Sequence, residues 1–116
     1  MKRGTRLKIA ATQTLLALSV LTAVKGVNNF CGHRETYYNL PMDKIIQQAR
    51  EKNVPGEYWV RDDGVKMYGE YVICAGNYKT HPYGSFVDTS LGRGVVIDTG
   101  GFAKKNPTAI DIATEW

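Results

Sequence analysis

Three aspartates in the second half of the chain sit in settings where a carboxylate has consequences. Asp98 ends the apolar run Val95-Val96-Ile97 and opens Asp98-Thr99-Gly100-Gly101, Asp111 lies between Ile110 and Ile112, and Asp88 precedes Thr89-Ser90-Leu91-Gly92. A carboxylate between two core-facing isoleucines is costly to bury unless something pairs it or uses it. Carboxylates that converge on a pocket are the equipment of glycoside cleavage, because burial and like charge raise one pKa until that group serves as an acid near neutral pH. Aspartate before Thr-Gly or Thr-Ser also caps turns, so the same residues allow a purely structural role.

The elements that position these residues are legible in part. Val95-Val96-Ile97, three β-branched residues between Gly92, Gly94, Gly100 and Gly101, predicts a buried strand that ends at Asp98. In Ala109-Ile110-Asp111-Ile112-Ala113 the two isoleucines share one face and Asp111 takes the other. Upstream, Tyr58-Trp59-Val60 and the run from Val65 to Ala75, interrupted at Gly69, predict further strands. Arg61-Asp62-Asp63-Gly64 between them reads as a hairpin turn rather than a calcium loop, since the later ligands of such a loop are absent. Pro41 followed by Met42, Ile45, Ile46 and Ala49 predicts an amphipathic helix over 41–52, stopped by Asn53 and Pro55. Residues 27–40 show no period and read as a linker in which His33 is solvated.

The segment Gly76-Asn77-Tyr78-Lys79-Thr80-His81-Pro82-Tyr83-Gly84 is a polar, aromatic loop between strands. Tyrosines and hydrogen-bonding side chains suit a carbohydrate, whose ring faces stack on aromatics while hydroxyls bond to Asn and His. An ordinary surface loop has the same composition.

From Met67 to Trp116 the chain resembles the 3D, or three-aspartate, domain shared by the membrane-bound lytic transglycosylase A family and by small bacterial cell-wall proteins. The resemblance rests on Asp88 with Ser90-Leu91-Gly92, then Asp98-Thr99-Gly100-Gly101, then Ile110-Asp111, in that order. It implies a mainly β fold, a small six-stranded double-psi β-barrel preceded by one amphipathic helix, with the domain spanning 41–116. It also implies lytic transglycosylase activity on peptidoglycan glycan strands, without metal or cofactor. Asp111 matches the acid/base, Asp98 its neighbour, and Asp88 a third member expected to bond the backbone amides of the turn at 89–92. Asn77, Tyr78, His81, Thr99 and Gly100 complete the expected substrate-binding set. Expansin-like barrels of the same type bind wall polysaccharide without cleaving it, so a non-catalytic binding module is the alternative.

Composition bounds the remaining classes. Lys2, Arg3, Arg6 and Lys8 precede an uncharged, largely apolar run from Ile9 to Val24, the pattern of a secretory signal over 1–26 or, if uncleaved, an anchor that is the chain's sole membrane contact. An exported, cell-wall-associated protein is expected. With Lys25, this segment holds five basic residues and no acid, so removing it from a net charge of +4 leaves −1. The remainder has no basic face and no basic–aromatic alternation for nucleic acid. Cys31 and Cys74 are the only cysteines, open to a disulfide in an exported chain or to a simple buried thiol at Cys74. Neither has a cysteine or histidine at zinc-like spacing.

Overall fold

A computed structural model describes residues 27–116. The segment read as a signal or anchor lies outside the described residues, and among those described no helix is long and apolar enough to cross a membrane. The fold is mainly β. Its strands are β1 (Asn28–Phe30), β2 (His33–Tyr38), β3 (Tyr58–Val60), β4 (Lys66–Tyr68), β5 (Tyr71–Ala75), β6 (Phe86–Thr89), β7 (Gly92–Asp98) and β8 (Ile110–Ala113). Two helices interrupt them, α1 (Asp43–Glu51) and the one-turn α2 (Phe102–Lys105).

The strands form one mixed sheet in the order β1-β2-β8-β5-β4-β3, with β7 on β5 and β6 on β7. β5 is the hub. Its start pairs with β4, its end pairs with β8, and β7 runs parallel along it. The second parallel pair joins β2 to β8, matching Thr36 with Asp111 and Tyr38 with Ala113. Alternation along β5 separates two apolar clusters. Ile73 packs with Tyr68, Val95, Ile97, Ala113 and the buried face of α1, Met42, Ile46 and Ala49. Val72 and Cys74 pack on the other side with Val65, Met67, Leu91, Val96, Ile110 and Ile112. Gly94 is forced by this packing, because a Cβ there would collide with the Cys74 sulfur.

The helix is two residues shorter at its start and one at its end than its apolar spacing predicts. Met42 caps it and Pro41 lies outside the first turn. At the other end Asn53 takes a left-handed φ of 63°, its N–H bonding Arg50 O at 3.1 Å and that of Val54 bonding Ala49 O at 2.9 Å. Those paired bonds satisfy the last carbonyls of the helix and turn Val54 back onto the core.

The largest correction concerns residues 27–40. The expected linker is the antiparallel hairpin β1–β2, and His33, expected in solvent, is buried. The inward residues of β2 include His33 and Glu35, which is fully buried, so no apolar alternation announces the strand. Cys31, exposed, and Cys74, buried, are both free thiols. The turn after β3 is a hairpin turn in which Asp63 accepts from Arg61 Nε and Nη2 at 2.9 and 2.8 Å.

Candidate functional site

Register brings two of the three aspartates together. Ala75 of β5 is paired with Asp98 of β7 on one side and with Asp111 of β8 on the other. Two strand spacings therefore separate their backbones, roughly 10 Å on a flat sheet and less on a curved one. The register of β5 on β7 slips between Cys74 and Ala75, skipping Ile97. Strict alternation would place Asp98 on the side of Val96. The irregularity instead turns it toward Tyr38, which packs with Ile73 and Ile97 on the side that Asp111 shares with Ala113.

Strand β2 holds both carboxylates. The Thr36 hydroxyl donates to Asp111 Oδ1 at 3.0 Å, and the Tyr38 hydroxyl donates to Asp98 Oδ2 at 2.8 Å. Asp98 Oδ1 accepts from the backbone N–H of Thr99 at 2.8 Å, so both of its oxygens are engaged. The pKa of Asp111 lies above the usual carboxylate value, first because the group is partly buried and further because Asp98 is near. The Thr36 hydrogen bond opposes this by favouring the ionised form. Burial and Asp98 also raise the Tyr38 phenol. Burial first, then the same carboxylate, pushes the Tyr78 phenol up to about 12.

Next to Asp98 a hollow of about 610 Å³ opens between the 76–84 loop and the segment from Thr99 into α2. Asn77, Tyr78, Thr99 and Gly100, four of the five residues expected to bind substrate, line it, together with Lys79, Gly101, Ala103 and Lys104. Asn77 braces the two walls, its Nδ2 donating to Ala103 O at 3.0 Å while its Oδ1 accepts from Lys79 N at 2.8 Å. Asp98 and Asp111 themselves line neither this hollow, which reaches Asp98 only through its neighbour Thr99, nor a second one of about 560 Å³ between α1 and β3 that the Arg50–Glu57 pair spans at 3.4 Å.

Two expected site residues lie elsewhere. His81 does not line the hollow: its Nε2 is 3.4 Å from Thr108 O, and its ring packs near Ile110 against Gly76. Asp88 is exposed on β6 opposite Arg93, which leaves the rest of β7, about 17 Å of strand, between it and Asp98. Nor does Asp88 hold the turn. The Thr89 hydroxyl bonds Gly92 O and Leu91 N there, and Glu35 accepts from Ser90 N at 2.8 Å and Ser90 Oγ at 2.6 Å. Glu35 does this from β2, a strand distant in sequence, where no motif in the turn points to it. Thr36 and Tyr38 escaped the sequence for the same reason, although two hydroxyl residues at i and i+2 are the signal a strand there would have carried.

No family model, curated protein or solved structure matches the chain.

Proposed function

We propose that the chain is a peptidoglycan lytic transglycosylase of the 3D-domain type, with Asp111 as its single general acid/base. The observation that carries this reading is the position of Asp111, partly buried, raised in pKa, held at one oxygen by Thr36 and set level with Asp98 across Ala75. The two parallel pairs, β2–β8 and β5–β7, each joining strands distant in sequence, support a double-psi barrel as the finer description of the fold.

In this reading a glycan strand lies along the hollow beside Asp98 and crosses Asp111. With Oδ1 occupied by Thr36, Asp111 carries its proton on Oδ2 and passes it to the glycosidic oxygen between N-acetylmuramic acid and N-acetylglucosamine as the C1–O bond breaks. The carboxylate then takes the proton of the muramic acid 6-hydroxyl as O6 bonds to C1, closing a 1,6-anhydro ring. One proton leaves Asp111 and one returns, and no water is consumed. Asp98, anchored by Tyr38 and Thr99, keeps the Asp111 proton in place before transfer and stabilises positive charge at the sugar. Asp88 takes no part, which departs from the role its motif implies.

The test is release of 1,6-anhydro muropeptides from peptidoglycan by the full chain. Asp111→Asn is expected to lower that release by roughly 10²- to 10⁴-fold while the variant stays folded at the assay pH, the range for losing general acid–base catalysis. Reducing-end products would assign a hydrolase, and binding without product the non-catalytic module. A folded Asp111→Asn variant with full activity would reject the assignment of the acid.

A further inference from the structure

The far half of the β1–β2 hairpin overhangs the sheet. β2 joins β8 only from Glu35 onward, where Glu35 pairs with Ile110, so among the described residues His33 and Arg34 have strand partners on β1 alone. Between Val27 and Arg34 a single residue is buried, His33, at 8% exposure. One side chain therefore pins this half of the hairpin to the body of the fold. It is also a poor place for a proton. His33 Nε2 is closed off from solvent and has no hydrogen-bond partner among the described residues. Glu35 Oε2 stands 3.8 Å away, beyond hydrogen-bond reach, and already accepts from Ser90 N, while Oε1 accepts from Ser90 Oγ and Tyr37 OH. The charges that act on the ring come from Glu35 on β2, His81 in the 76–84 loop and Asp88 on β6. β1 holds no titratable residue and presents the Phe30 ring, edge-on at 6.4 Å. Burial outweighs the attraction of Glu35, with His81 acting alongside burial and Asp88 against it, so the His33 pKa lies below its ordinary value of 6.5.

We propose that His33 is an acid-released latch on this hairpin. Neutral, it stays inside and holds residues 28–34 against the sheet; protonated, it moves into water and the hairpin swings out about the junction of Arg34 and Glu35. Beyond that hinge Thr36 and Tyr38 keep their bonds to Asp111 and Asp98, and Glu35 keeps its hold on Ser90. The device is thus independent of the reaction proposed for the aspartates. Its sign follows from linkage. Closure is fully supported above pH 6.5, and that support is lost as pH falls through the lower value of the buried ring.

Hydrogen exchange of the full-length chain tests it, resolved to single amides at pH 7.5 and pH 5 and corrected for intrinsic exchange. Opening of residues 28–34 is expected to rise several-fold at the lower pH, with a ceiling of about 30-fold for a ring that titrates at 6.5 once released. Amides of residues 36–38 and 72–74 should keep their protection. His33→Phe retains a ring and removes the proton, so the hairpin should stay closed at both pH values, whereas His81→Gln should keep most of the response. Titration of the His33 ring protons in the parent chain gives a second reading that needs no variant, with a midpoint expected below 6.5. A midpoint at or above 6.5, or greater protection of residues 28–34 at pH 5, would mean that the protonated ring closes on Glu35 and would overturn the latch. A response that survives His33→Phe would place the sensor elsewhere. Equal loss of protection at 28–34 and 72–74 would be global acid unfolding with no hinge, and would overturn it as well.

Discussion

Thr36 and Asp111 set the proton chemistry of the site against each other. Burial and Asp98 push the Asp111 pKa up, while the Thr36 hydroxyl, donating to Oδ1 at 3.0 Å, favours the ionised form and pulls it down. Thr36→Val keeps the shape of the side chain and removes the donor, so the Asp111 pKa should rise further. An acid is active while protonated. The rate should therefore fall as pH rises through that pKa, and the alkaline limb of the pH–rate profile should move to higher pH in the variant. A profile that keeps its alkaline limb, or moves it to lower pH, would show that Thr36 does not bias this proton. The same raised pKa links to stability. Its contribution is complete below the unfolded aspartate value of 3.8 and is lost as pH rises through the higher folded value. Asp111→Asn should remove that part of the pH dependence of unfolding.

Among the elements, β2 carries most of what the sequence concealed. Runs of β-branched and aromatic residues pointed to β3, β4, β5 and β7, and alternation to β8, because the buried or partly buried residues there include valine, isoleucine, methionine, cysteine, Trp59 and Tyr68. Both missed β2, where one side holds His33 and Glu35 and the other Thr36 and Tyr38, and where Glu35, Thr36 and Tyr38 each bond a partner far along the chain. The aspartate motifs themselves were readable, and so were four of the hollow's lining residues. The groups that orient the aspartates were not, because hydrogen bonds between strands of distant sequence leave no local pattern. The motif also misplaced the turn's support at Asp88. Two substitutions separate these roles in denaturant unfolding. Glu35→Ala leaves Ser90 N, Ser90 Oγ and Tyr37 OH without their shared acceptor and should cost on the order of 3 kcal/mol. Asp88→Asn, on an exposed strand position, should stay within about 0.5 kcal/mol of the parent. The opposite ranking would return the turn to Asp88.

At the scale of the whole molecule, the described residues are tied together by pairings between strands distant in sequence. β2 and β8 pair in parallel, β5 binds β4, β8 and β7, and Val65 bridges to Thr114. Long-range pairings of this kind must be formed before they stabilise anything, which predicts refolding in milliseconds to seconds rather than microseconds. They also rank the strands. The residues from Val72 to Ala75 are buried and central to the sheet, with neighbours on both edges, whereas β1 lies at the sheet's end with one partner and half-exposed residues. Amides of Val72, Ile73 and Cys74 should therefore exchange with solvent only through global unfolding, with free energies equal to the denaturant value, and those of Asn28–Phe30 through local opening. The aspartate pair straddles Ala75 at the end of this slow strand, so its geometry should persist when β1 frays. Equal protection of β1 and β5 would mean that the hairpin is as strongly held as the hub. Protection of β5 well below the global value would mean that the strand between the two carboxylates opens on its own, and that their alignment is not built into the core.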